Sequence, residues 1–214
     1  SIIVHVAYYL TLAAAYQHAD LSLAYPLMRG IAPVMLACFA VLTGEVLNLM
    51  QALGIALIAS GIVMPSWVGK PWKNRKGVIF AILNAAIIAT YTLVDGIGVR
   101  LANQATSYIL WLFFFNSWAI VSILMWRRGL SEMVTKACIR WRTALLGGCM
   151  SMGSYGIVLW AMTQSSIPAV AAMREVSVIF AALLGVWFLK ESMGPWRIFG
   201  ASLVGLGAAV IRFS

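Results

Sequence analysis

Residues 165–191 read SSIPAVAAMREVSVIFAALLGVWFLKE. This stretch is apolar and long enough to cross about 30 Å of hydrocarbon, which takes roughly 20 helical residues. Its middle nevertheless holds adjacent charges, Arg174 and Glu175. A similar stretch occurs at residues 22–45, SLAYPLMRGIAPVMLACFAVLTGE. Both contain Met-Arg (Met28-Arg29 and Met173-Arg174), and both close on a glutamate (Glu45 and Glu191). The recurrence indicates an internal repeat within a membrane protein, with charge placed where hydrocarbon makes it expensive.

The bulk composition agrees. The 214 residues are 63% hydrophobic and 10% charged, with a mean hydropathy of +0.94, whereas a soluble domain is about half apolar and a quarter charged. Period-2 patterning is absent and runs such as 109–125 are apolar all round, so the class is an all-α polytopic membrane bundle, not a barrel. The net charge of +9 belongs to loops flanking helices, where Lys and Arg act as topology signals, and does not indicate nucleic acid. Cys38, Cys138 and Cys149 have no CxxC or Cys/His spacing, so neither a disulfide framework nor a metal site is indicated, and no cofactor is implied.

Eight helices are expected, at about 1–17, 21–43, 48–68, 77–99, 106–126, 143–163, 166–191 and 195–213. Ser166 and Pro168 mark the entry to the seventh, as a cap and a first-turn proline. Residues 69–76 (GKPWKNRK) form a basic boundary between halves, and 127–142 a basic amphipathic loop. A shift of 145–146 residues aligns Arg29 with Arg174, Glu45 with Glu191, Gly54 with Gly200 and Gly61 with Gly207. The last three helices thus repeat the first three. Five-helix units would place two further helices upstream of Ser1, and an odd-numbered unit inverts the halves across the membrane.

The paired hairpins LTGEVLNLMQALGIALIASGIV (42–63) and FLKESMGPWRIFGASLVGLGAAVI (188–211) resemble those of the drug/metabolite transporter superfamily, specifically ten-helix permeases with two EamA domains. The resemblance implies two inverted five-helix repeats, with 1–68 as the last three helices of the first, 69–76 as the linker and 77–214 as the second. It implies a multi-pass inner-membrane secondary transporter that exports or exchanges a small metabolite, such as an amino acid or organic anion, by alternating access. Its partners would be that substrate, protons and the lipid bilayer, with a homodimer compatible. The basic loops 70–76 and 127–142 place their side in the cytoplasm by the positive-inside rule, with the C-terminus outside, whereas the resemblance implies a cytoplasmic C-terminus.

The candidate substrate-binding residues are Arg29, Arg174, Glu175, Tyr91 and Asn84. Arg29 and Arg174 either bind an anionic group or pair with Asp95 or Glu175 to lock the repeats together. Adjacent helical residues point about 100° apart, so Arg174 and Glu175 are not expected to face one partner squarely. Asp95 shares a helical face with Tyr91 and Asn84; it is either a proton-coupling carboxylate or an interfacial residue near a helix end. Pro33 frees the carbonyl of Arg29 from the helical ladder. Glu45 and Glu191 read as helix-end caps or loop pairs, and His5 and His18 as lone histidines without a metal partner. A multidrug exporter of lipophilic cations and a non-transporting scaffold are the alternatives; the absence of HExxH and GxSxG motifs argues against an intramembrane enzyme.

Overall fold

The computed structural model describes residues 1–18, 21–67, 75–102, 104–139, 141–180, 183, 187 and 194–213. Among these residues the regular structure is helical throughout. The helices are α1 (Ile2–His18), α2 (Leu21–Leu42), α3 (Leu49–Trp67), α4 (Arg75–Leu101), α5 (Ala105–Arg128), α6 (Leu130–Ile139), α7 (Trp141–Met162), α8 (Ile167–Arg174) and α9 (Pro195–Arg212). Among the described residues four stretches are long and apolar enough to span a bilayer: Ala24–Leu42, Arg75–Leu101, Ala105–Ile123 and Trp141–Met162. The chain is a multi-pass helical membrane protein.

Two expectations need correction. The basic segment after α5 is not all loop, because Leu130–Ile139 forms a helix of its own, set off by Gly129 at φ 79°. The seventh span is not one continuous helix either. It stops at Arg174, turns through Glu175 and Val176, and resumes at 177–180. The turn is tight: the amides of Glu175 and Val176 donate to Ala172 and Met173, and those of Val178 and Ile179 donate to Glu175 and Val176. All four are i→i−3 bonds, the 3₁₀ pattern that often marks a hinge inside a helix. No proline or glycine lies between Met173 and Ser177, so local propensity does not explain the break. The charged pair sits in it. Glu191 lies outside the described residues.

Helix α4 is central, with buried positions along most of its length. It packs against α1 and α2, and through Ala89, Leu93 and Val99 joins an apolar cluster with Leu36, Leu112, Leu159, Met162 and Ile167. On the far side α3 runs along α9. Their backbones approach closely at two glycine crossings. A Cβ on Gly54 would lie 2.8 Å from the Gly207 carbonyl oxygen, and one on Gly61 would lie 2.6 Å from that of Gly200. Apolar attraction does little between helices in lipid, so such close backbone packing carries the association. The exposed Trp111, Trp118 and Trp126 suit lipid-facing or interfacial anchors.

Gly61→Val should therefore lower the thermal midpoint in detergent by several degrees, since overpacking costs about 1–3 kcal/mol. Gly147→Ala, where an added Cβ meets nothing within 4 Å, should leave the midpoint unchanged or raised. Equal midpoints for Gly61→Val and the parent would refute the α3–α9 crossing.

Candidate functional site

A cavity of about 760 Å³ lies among α1, α2, α4, α5, α7 and the broken α8. Its size suits a small-molecule site. Arg29 and Arg174 line it, together with His5, Tyr8, Tyr9, Tyr91, Phe113, Tyr155 and a polar set including Asn116, Ser117, Ser151, Ser154 and Ser177. No acidic side chain is among the described lining residues.

The charge that balances the arginines lies behind the wall. Glu175, 1% exposed, holds Oε2 2.8 Å from Arg29 Nε and Oε1 3.5 Å from Arg174 Nε. The turn after Arg174 makes this possible, because on a regular helix neighbouring side chains diverge. One carboxylate thus serves two guanidinium groups. The two Nε atoms and Oε2 are buried without any hydrogen bond of good geometry, so these contacts are ion pairs, not aligned forks. Two cations sharing one anion leave a net charge of +1 at this wall. Buried charges tolerate such incomplete pairing poorly.

Asp95 is fully buried within the α4 span. Tyr155 donates to its Oδ2 at 2.8 Å and Tyr108 to its Oδ1 at 3.4 Å. His5 Nε2 lies 3.8 Å from Oδ2. Asp95 therefore reaches the cavity through His5 and Tyr155, which line it, without lining it itself. Its partners are not the arginines, which pair with Glu175. Tyr91 lies on the cavity wall, its ring tilted 33° against that of His5 with centroids 4.4 Å apart, and its side chain interacts with Arg174. Asn84, two turns before Tyr91 on the same helix, sits elsewhere: its amide donates to the Tyr8 carbonyl at 3.0 Å and to Thr11 Oγ1 at 2.7 Å. It stitches α4 to α1.

From sequence His5 reads only as a lone histidine, and Tyr8, Tyr108 and Tyr155 were not singled out. His5, Tyr8 and Tyr9 carried a readable signal, since i, i+3 and i+4 share a helix face. Tyr108 and Tyr155 carried none, because only the packing of α5 and α7 on α4 brings them to Asp95. Gly98 takes part, as a Cβ there would collide with the Tyr108 ring.

One end of the bundle is tied shut. Arg100 Nη1 and Nη2 donate to Glu45 Oε2 at 2.9 Å and Oε1 at 3.1 Å. Arg100 also donates to the carbonyls of Met162 and Ser165, both at 2.7 Å. Glu45 Oε1 in turn accepts the Ile167 amide at 3.0 Å. The expected Ser166 cap is thus replaced: Ser166 stands at the N-cap without a side-chain cap bond, and the carboxylate of Glu45 takes the amide and meets the positive end of the helix dipole. This latch joins the ends of α2, α4 and α7 to the start of α8. The apolar cluster of Leu36, Leu93, Leu159, Met162 and Ile167 lies on the latch side of the cavity, whose lining on α2 and α8, Arg29 and Arg174, is toward the ends of those helices away from the latch, and on α7 runs from Val158 back to Gly148.

Comparison with known proteins places this architecture. Residues 75–213 match the EamA-like transporter family. The chain belongs to that family. It is also similar to Protein LicB of Haemophilus influenzae, at 27% identity over 142 residues, covering 64% of this chain and 47% of that protein. The chain thus spans about half the length of the curated relative it matches. The family match, residues 75–213, runs from the start of α4 through α9, so it contains Tyr91, Asp95, Arg174 and Glu175 but not Arg29, Glu45 or His5. As a family, EamA proteins are transporters, and a membrane permease of the drug/metabolite type is the activity class that membership supports.

Burial pushes the Glu45 carboxyl up, but its hydrogen bonds from Arg100 and the Ile167 amide and the Arg100 charge outweigh that, holding it below its ordinary value of 4.5. A lowered folded-state value means the latch stabilises the fold above about pH 4.5 and loses that contribution as pH falls through the lowered value. Glu45→Gln should cost about 1–2 kcal/mol at neutral pH, given the partial exposure of the pair. Thermal unfolding across pH 3–8 checks this: the gap between parent and variant should close in acid. A pH-independent gap would contradict it.

Proposed function

We propose that the chain is part of a secondary transporter that exports or exchanges a small metabolite, such as an amino acid or organic anion, by alternating access. The observation that carries this reading is that Arg29 and Arg174 both line the 760 Å³ cavity while sharing the one buried carboxylate of Glu175. The residual positive charge suits a carboxylate or similar anionic group, with Tyr91, Asn116 and the serines available to hydrogen-bond a polar body and Tyr8, Phe113 and Tyr155 to pack an apolar one.

Two features favour alternating access. The latch and the apolar cluster close one end, while the cavity lining extends toward the other. The helix break at Glu175 and Val176 provides a hinge at the binding wall, the discontinuous-helix arrangement seen where transporters bind at mid-membrane. The glycine crossings support inverted repeats. Gly54 aligns with Gly200 and Gly61 with Gly207, and the contacts are Gly54 with Gly207 and Gly61 with Gly200, the reciprocity that a two-fold axis between repeats requires. In this reading the repeats divide at 69–76. Arg75 and Lys76 at the start of α4 and Arg142 at the start of α7 lie at the helix ends away from the latch. With that end in the cytoplasm, the cavity faces inward and the latch is external.

Export of lipophilic cations is a second reading, favoured by the aromatic faces of Tyr8, Tyr91, Phe113 and Tyr155. The absence of any acidic side chain from the described lining weighs against it.

The test is uptake by proteoliposomes of the complete protein, with a panel of labelled amino acids, monocarboxylates and organic cations. Removing one charged hydrogen-bonding partner costs about 1.5–3 kcal/mol, roughly ten- to hundredfold in affinity. Arg174→Ala should therefore weaken transport of an anionic or zwitterionic substrate by that factor. Uptake unchanged in a folded Arg174→Ala protein would remove the arginines from the substrate site.

A further inference from the structure

His5 is held in one orientation by its own helix. Its Nδ1 lies 3.2 Å from the Ser1 carbonyl oxygen and 3.1 Å from Ser1 Oγ. A carbonyl oxygen only accepts, so the contact with the Ser1 carbonyl selects the tautomer with hydrogen on Nδ1, while the Ser1 hydroxyl fits either tautomer. In a neutral imidazole that leaves Nε2 as a bare acceptor. Yet Nε2 faces Asp95 Oδ2 at 3.8 Å, and an ionised carboxylate is also an acceptor. Two lone pairs thus confront each other at a buried wall, a polar mismatch that costs free energy. One proton placed between them resolves it, as an imidazolium–carboxylate pair or as a carboxylic acid donating to imidazole.

We propose that His5 and Asp95 together bind one exchangeable proton, that His5 passes it to and from the cavity, and that it is the proton coupled to transport. The last clause rests on the transporter reading above; the proton site itself does not. His5 is suited to the exchange because it lines the cavity while Asp95 does not. The other titratable groups around the pair are accounted for. Tyr155 of α7 and Tyr108 of α5 donate to the carboxylate, and Tyr91 of α4 and Tyr8 of α1 form the ring wall beside His5. Arg174 of α8 acts on Tyr91 and Tyr155, while Arg29 of α2 pairs with Glu175.

The proton also changes what the cavity attracts. Among the described residues, Arg29, Arg174, Glu175 and Asp95 sum to zero (two positive, two negative). With the extra proton the sum becomes +1. A monoanion and the proton then enter as an electrically neutral pair, and loss of the proton weakens retention of the anion. Proton and anion travel together.

Ring-labelled histidine NMR of the complete protein in lipid nanodiscs tests the site without any substrate. His5→Gln assigns the resonance by removing it. The parent should show a histidine whose ¹⁵N shifts report hydrogen on Nδ1 when neutral and which takes up a second proton as pH falls. Asp95→Asn, which deletes the facing charge, should move that midpoint down by about one pH unit or more. Tyr155→Phe, which removes a donor from the carboxylate and preserves its charge, should move it up. A His5 midpoint unmoved by both variants, or a neutral form with hydrogen on Nε2, overturns the proton site. Because no substrate enters these measurements, failed uptake with an intact titration rejects the transporter reading alone. Uptake whose pH dependence is the same in parent and Asp95→Asn, with the titration intact, rejects the coupling alone.

Discussion

One buried carboxylate serving two guanidinium groups is the constraint on which this structure turns. Glu175 is almost wholly removed from solvent, and an ion placed there without partners would cost several kcal/mol. Arg29 from α2 and Arg174 from α8 supply the compensation, and in doing so they fix how those two helices approach. The shared partner requires Arg174 and Glu175 to point into the same space. A continuous helix would spread them by about 100°. The break after Arg174 follows as the geometric consequence of the ion pairs, and the 3₁₀ bonding through 172–179 satisfies the amides that the break would otherwise expose.

The rest of the site is arranged around that wall in two electrical layers. The arginines face the cavity and their counter-ion lies behind them. Opposite, His5 and Tyr155 face the cavity and Asp95 lies behind them. Neither carboxylate is presented directly, so the described lining is cationic and aromatic while the buried charges balance. Toward the latch the polar wall gives way to the apolar cluster around Leu159 and Ile167. Beyond it the Arg100–Glu45 pair holds three connections closed. Such a closure, built from a few exchangeable hydrogen bonds at partly exposed residues, suits an element that must open; a larger buried network would hold it permanently.

Much of the fold was legible because lipid imposes simple rules. Long apolar runs gave the spans, and the recurrence of Met-Arg and of the glycines at 54, 61, 200 and 207 read as an internal repeat, whose glycines the structure places at the α3–α9 crossings. The charged residues announced themselves by their cost, which is why Arg29, Asp95, Arg174 and Glu175 stood out. What stayed hidden came from tertiary packing. The helix break has no proline or glycine to reveal it. Asn84 shares a face with Tyr91, but α1 covers that end of the face and consumes the amide. His5 shares a helix face with Tyr8 and Tyr9, but its partner Asp95 appears only when α1 docks on α4. Ser166 resembles a cap until a glutamate 121 residues earlier reaches the same helix start.

The central claim is that Arg29 and Glu175 form a coupled ion pair joining α2 to α8. A double-mutant cycle measures it most directly, using thermal or denaturant unfolding of the parent, Arg29→Gln, Glu175→Gln and the double variant in nanodiscs. Breaking one side of a buried pair costs about 3–5 kcal/mol because the other charge is left unpaired. Both single variants should therefore be markedly less stable, and the double variant more stable than the sum of the two losses by at least about 1 kcal/mol. Losses that add to within about 0.5 kcal/mol, the behaviour of independent sites, would contradict the account.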